Sequence, residues 1–173
     1  MIGNGYIGAL ATALRLISLC LLLPAVAHAQ DDARISELST LDRGYMAEQR
    51  ELVADLTART FGRSLNGQVG DDLELLQGLL DRRVVRPDMT RELQAMGIVL
   101  GDLLAQELDM HWVVYEDRLG RSRALRYRQT SEYLFPVTMI SRRQEAGSDT
   151  AVADIYQKAY AIIAPLRTPL PFQ

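Results

Sequence analysis

An α+β fold is the class this sequence predicts: helices first, then a three-stranded antiparallel meander, then a closing helix. Three observations carry that expectation. Apolar residues recur every three or four positions up to Leu108, the period drops to two between Trp112 and Ser141, and it lengthens again after Gly147-Ser148-Asp149.

The first helix is expected over Ala33 to Phe61, where Ile35, Leu38, Leu41 and Tyr45 step along one face and Leu52, Val53, Leu56 and Phe61 resume it. Gly44 weakens its middle by about 1 kcal/mol and marks a possible break. A Gly-, Ser- and Asn-bearing loop, Gly62 to Gly70, follows. Asp71 or Asp72 then caps a shorter helix reaching about Arg82, with Leu73, Leu76 and Leu80 on one side.

The strongest helical pattern begins at Asp88 or Thr90, just past Pro87, and ends at Leu108. Its stripe is Met89, Leu93, Met96, Leu100, Leu103 and Leu108. Gly97 and Gly101 lie one turn apart beside that stripe. Two glycines cost about 2 kcal/mol of helix propensity, so they imply close approach of another element, expected to be the sheet. A membrane-dimer reading of the same spacing is excluded by Arg91, Asp102, Gln106 and Glu107.

Strands are expected at Trp112–Tyr115, at Ala124–Tyr127 beyond a turn at Leu119-Gly120-Arg121, and from Tyr133 to Ser141, where Pro136 points to an edge or a bulge. Val152, Ile155, Tyr156, Ala159, Ile162 and Ile163 define the last helix, stopped by Pro165. The chain thus divides into 1–29 as a signal segment, 30–87 as an N-terminal helical region, 88–166 as the α-β-β-β-α core and 167–173 as a flexible tail.

The signal segment rests on Arg15, the apolar run Leu16 to Leu23, Pro24 and the small-residue pattern Ala27-His28-Ala29. Cleavage after Ala29 leaves 144 of 173 residues, one ordinary domain, in the periplasm or outside the cell. An uncleaved inner-membrane anchor is the competing reading, and Arg15 within the span counts against it by about 2.5–3.5 kcal/mol. Met1 to Ala13 carries no side-chain charge, so a start at Leu14 is an open alternative to Met1. Leu19 before Cys20 is too bulky for lipoprotein processing.

Composition excludes several chemistries. The net charge of −3 becomes −4 when Arg15 is removed, which gives neither a basic stripe for nucleic acid nor a polybasic segment for anionic lipid. Cys20 and His28 leave with the signal, so the mature chain has no disulfide, no thiol nucleophile and a single histidine, His111. No metal and no other cofactor is expected.

Several runs stand in register: Gly97-Ile98-Val99-Leu100-Gly101-Asp102-Leu103-Leu104, Trp112-Val113-Val114-Tyr115-Glu116-Asp117, Gly120-Arg121, Ala124-Leu125-Arg126-Tyr127, and Phe135-Pro136-Val137-Thr138-Met139-Ile140-Ser141-Arg142-Arg143. Together, over roughly Leu93 to Gly147, they resemble a bacterial family known as domain of unknown function 3806. The resemblance implies an envelope or secreted protein of a Gram-negative bacterium and no particular activity. It also implies Gly where Asp109 stands and an acid where His111 stands, which weakens a catalytic case for His111.

Candidate sites are correspondingly sparse, and no catalytic set is identified. His111 with Glu107, Glu116 and Asp117 is the nearest approach to an acid–base cluster, but a lone junction histidine is the commoner case. Glu116 and Asp117 are adjacent on a strand and point to opposite faces, unlike a glycosidase pair. Ser122, Ser131 and Ser141 lack a nucleophile elbow. Asp102, beside the core stripe, needs a partner, for which Arg126, Arg142 or Arg143 is expected. Trp112, Tyr115, Tyr127, Tyr133 and Phe135 place aromatics on all three strands. Asp102, Trp112, Tyr115, Arg126, Tyr127 and Arg142 are therefore the candidate pocket or recognition residues, and Gly97 and Gly101 the close-packing pair.

The function expected is an exported binding or protein-interaction domain whose partner is an envelope protein or a small ligand, with neither nucleic acid nor stable membrane insertion after cleavage. The alternatives are a small envelope hydrolase using Asp102, His111 or an acidic pair, and an immunity-like inhibitor of a periplasmic toxin.

Overall fold

The computed structural model describes residues 33–167. The signal segment, its cleavage site, the alternative start and the tail beyond Arg167 lie outside the described residues. Strand β1 (Arg34–Glu37) leads into helix α1 (Thr40–Phe61), then α2 (Val69–Asp81), α3 (Thr90–Leu108), β2 (Met110–Asp117), β3 (Gly120–Tyr127), β4 (Tyr133–Leu134), a 3-10 turn at Pro136–Thr138, α4 (Ser141–Glu145) and α5 (Val152–Ile163). Among the described residues the class is α+β, with five helices and a four-stranded antiparallel sheet in the order β1-β2-β3-β4. No helix among the described residues is long and apolar enough to cross a membrane.

The expected first helix and three-stranded meander both need correction. Arg34–Glu37 is a strand paired antiparallel with β2, Ile35 opposite Tyr115 and Glu37 opposite Val113. Ser39 then starts α1 with a reciprocal capping box. Its hydroxyl accepts from the Asp42 amide while the Asp42 carboxylate accepts from the Ser39 amide. From there α1 runs unbroken through Gly44, where a side chain would meet only open space. Its buried face is Asp42, Met46, Gln49, Val53 and Thr57, whereas Leu41 is 86% exposed. Three polar residues on the inner face explain why apolar spacing alone misplaced the stripe.

Helix α3 is buried nearly all round, from Leu93 to Leu108, as a central helix must be. Asp109 closes it in the left-handed region at φ 55°, a conformation that costs Gly least. The close approach expected at its glycines is present, though at Gly97 the backbone is that of the 3-10 turn and at Gly101 the sheet contributes the Trp112 side chain of β2. A Cβ on Gly97 would lie 2.5 Å from the carbonyl oxygen of Val137 and 2.6 Å from that of Pro136. A Cβ on Gly101 would strike the Trp112 ring and come within 3.0 Å of Pro136 Cβ. The glycine pair therefore admits the 3-10 turn and one indole rather than a strand backbone.

β2 and β3 pair along their full length, from Met110 opposite Tyr127 to Asp117 opposite Gly120. Asp117 Oδ1 accepts from the Leu119 and Gly120 amides and closes the two-residue turn. The third strand was expected to reach Ser141, but β4 is only two residues long, pairing Leu134 with Leu125 and Tyr133 with Arg126. Pro136, which has no amide to donate, diverts the chain into the 3-10 turn and then α4. Beyond Leu125, toward the hairpin tip, no strand among the described residues pairs with the outer side of β3.

Candidate functional site

The open side of β3 forms one wall of a cleft of about 570 Å³. The four consecutive residues Gly120 to Arg123 line it, facing Tyr45 of α1, Gln94 of α3, and Phe135, Val137, Thr138 and Arg142 of the segment after β4. Tyr115, reaching from β2, completes the lining with Asp117 and Leu119 of the turn. Tyr115 meets Tyr133 and Phe135 edge-on, with ring centroids 5.1 and 5.2 Å away.

Alternation along β3 places Arg121 and Arg123 on the face toward α1 and Ser122 on the other. Asp42, only 2% exposed, anchors both guanidinia. Arg121 Nη2 donates to Asp42 Oδ2 at 2.6 Å, and Arg123 Nη2 lies 2.9 Å from Oδ1. Arg123 also stacks over Tyr45, 4.2 Å from its ring centroid. The Arg121 hydrogen bond holds the Asp42 carboxyl well below the usual carboxylate range. Burial opposes that shift, and the Ser39 hydroxyl and amide reinforce it. A carboxylate so stabilised is a poor base, so Asp42 positions two cations rather than moving protons. Arg123 Nε is buried without a partner among the described residues, as is Gln49 Oε1.

Asp102 sits elsewhere and has a different partner from those expected. Arg50 of α1 grips it with a two-pronged bond, Nε to Oδ2 at 2.6 Å and Nη2 to Oδ1 at 2.9 Å, and Trp112 Nε1 donates to Oδ1 at 2.9 Å. Arg126 instead donates to the Gln129 and Thr130 carbonyls, Arg143 to the Met139 carbonyl, and Arg142 stands at the cleft. Tyr127 is buried, with its hydroxyl toward the Leu166 carbonyl. His111 is exposed and opposite Arg126 in the ladder. Of the nominated recognition residues, only Tyr115 and Arg142 line the cleft, while Asp102 and Trp112 form a separate bonded group with Arg50.

Trp112 is the only tryptophan, so its emission reports on that group. Asp102→Ala removes the acceptor of the indole N–H and the anchor of Arg50. The expected result is a shifted emission maximum and a loss of about 1 kcal/mol in a urea titration, small because both charged partners are part exposed. An unchanged spectrum would mean the indole bond is not made in solution.

Asp42, Arg121, Arg123 and Tyr45 were missed by sequence reasoning. Two signals were available. Ser39-Thr40-Leu41-Asp42 has the spacing of a capping box, and Arg121-Ser122-Arg123 puts two cations on one strand face. A larger hollow of about 760 Å³ lies among the end of α1, α2 and residues 151–153. It gathers no convergent polar set: Arg63 pairs with Asp71 and Glu74, and Arg82 lies over Phe61. No group of three or more His, Cys, Asp or Glu among the described residues is placed to hold a metal.

Residues 72–156 match the family described as Domain of unknown function (DUF3806). The DUF3806 match opens in α2 and ends in α5, so it takes in Gly97, Gly101, the β2–β3 hairpin and the Phe135–Arg142 wall. It leaves out β1 and α1, and with them Tyr45, Asp42 and Arg50. A crystal structure from Bacteroides thetaiotaomicron VPI-5482, at 1.50 Å resolution, is similar in fold, with a TM-score of 0.67 and 23% identity over 73% of this chain. This chain spans about half of that one, 47%. No curated protein matches.

Proposed function

We propose that this protein is an exported binding module and that the cleft beside β3 is where its partner, an envelope protein or a small ligand, is held. One observation supports this above the others. Three arginines, Arg121, Arg123 and Arg142, converge with Tyr45, Tyr115 and Phe135 on one cleft of an otherwise acidic chain. Such a set recognises anionic and planar groups. The volume falls within the range of about 300–1,000 Å³ usual for ligand sites. The groups nominated for acid–base chemistry do not line it together: Asp102 is committed to Arg50, and His111 and Glu116 are not part of the lining. Export rests on the Arg15 flank, the apolar run and the Ala27-His28-Ala29 pattern.

The test is affinity capture from an envelope fraction, with the wild-type protein beside a Tyr115→Ala/Arg142→Glu double variant. The expected result is a partner retained by the wild type and lost by the variant, which still unfolds in one transition but melts somewhat lower, because Tyr115→Ala gives up the edge-on contacts with Tyr133 and Phe135. Equal capture by the two proteins, or no capture under several growth conditions, would count against the cleft.

A further inference from the structure

We infer that the occupant of this cleft is an extended acidic peptide segment that adds to the sheet as a strand along the open side of β3. The inference rests on the binding reading above and gives it a ligand class and a docking geometry.

The backbone supplies the first argument. In an antiparallel ladder, alternate residues point their N–H and C=O to the same side. The Tyr127 amide donates to the Glu132 carbonyl and its carbonyl accepts from the Thr130 amide, so Tyr127 points outward, away from β2. Leu125, two residues back, is opposite Leu134 of β4. By the same alternation Arg123 and Arg121 point their backbone groups outward too, but β4 ends before reaching them. Two residues of strand length, about 7 Å, therefore present outward donors and acceptors toward the cleft rather than toward another strand of the sheet. Proteins commonly blunt such edges, or use them to take up an extended segment.

The side chains supply the second argument. An added strand alternates its own side chains between the two faces of the sheet. On the face toward α1 it meets Arg121, Arg123 and the Tyr45 ring; on the other it meets Ser122, Tyr115 and Phe135. Acidic residues at every second position thus lie against guanidinia, and apolar or aromatic residues between them lie against the Tyr115–Phe135 edge. Asp117 is the single acid among the lining residues, with Oδ1 already accepting from two turn amides, and the buried Asp42 behind them is shared between Arg121 and Arg123, so three guanidinia face two carboxylates. Charge complementarity therefore selects an acidic segment. Leu119, 96% exposed at the hairpin tip, extends the apolar side of the same wall.

The experiment uses the protein from Asp31 to Gln173, one compact unit, titrated calorimetrically with capped peptides of about seven residues in which Glu alternates with Val. Two further peptides carry N-methyl groups, one at the Glu positions and one at the Val positions. Strand addition predicts that the parent peptide binds, that one N-methyl series weakens it by about tenfold or more, and that the other series leaves it nearly intact. It also predicts weaker binding with rising salt and about tenfold loss when Glu is replaced by Gln. If both N-methyl series bind like the parent, strand addition is overturned while the cleft remains a binding site. A uronate oligosaccharide that binds where the peptides do not overturns the peptide class in the same way. No binding by any of these probes overturns the inference outright, and a partner captured in a cleft-dependent manner would then still uphold the binding reading.

Discussion

Gly97→Ala is expected to lower the melting temperature by about 6–9 °C, equivalent to about 2–3 kcal/mol for a domain of this size. Elsewhere in a helix the same change is favourable, because Ala gains about 1 kcal/mol in propensity over Gly. At Gly97 the added carbon would meet two carbonyl oxygens, at 2.5 and 2.6 Å, and both belong to the backbone of the 3-10 turn. Backbone atoms cannot rotate away as a side-chain tip can, so either α3 or the Pro136–Thr138 segment must shift. Gly44→Ala is the internal control, since nothing lies within 4 Å of a Cβ there and the residue sits mid-helix. It is expected to stabilise by about 0.5–1 kcal/mol. Paired thermal melts decide the matter, and a Gly97→Ala protein as stable as Gly44→Ala would show that the turn does not press on α3.

Asp42→Asn is expected to cost about 2 kcal/mol at neutral pH. Removing one partner of a buried pair costs about 3–5 kcal/mol, but Arg121 and Arg123 keep 46% and 24% of their side-chain surface exposed, so water offsets part of the loss. The pH dependence has a definite sign. Because the folded protein holds this carboxyl below its usual range, the unfolded chain takes up the proton first as pH falls. The stabilisation is thus fully present above the ordinary carboxylate pKa of about 3.9 and declines as pH drops from there toward the folded value. Urea midpoints of wild type and Asp42→Asn should therefore differ most near pH 7, with the gap narrowing steadily as pH falls below about 4. A gap that stays constant across that range would mean the arginine pair does not hold Asp42 ionised.

What could be read from the sequence follows the range of the interactions involved. α3, the β2–β3 hairpin and α5 each announce themselves locally, through Leu93-Met96-Leu100-Leu103, the aromatic and β-branched run Trp112–Tyr115, and Val152-Ile155-Ala159-Ile163. β1 did not, because four residues are too short to reveal a period, and Ile35 and Leu38 happen to suit a helix as well. α1 hid its inner face because Asp42, Gln49 and Thr57 stand where apolar residues are sought. The ion pairs around the site join residues far apart along the chain. Arg121 is 79 positions from Asp42, and Arg50 is 52 positions from Asp102. Pairing at that range is set by the fold as a whole, which is why Asp102 takes Arg50 rather than Arg126, Arg142 or Arg143. The cleft has the same character: its β3 wall is open because Pro136 cuts β4 short, a consequence visible only once the register is known.

Amide hydrogen exchange at Arg121 and Arg123, with and without the alternating acidic peptide, probes the open side of β3 most directly. A segment that joins the sheet there should slow exchange at both outward-facing amides by about tenfold or more, with Ser122, already turned toward β2, little changed. Saturating peptide that leaves the Arg121 and Arg123 amides exchanging at their free rate would contradict the account.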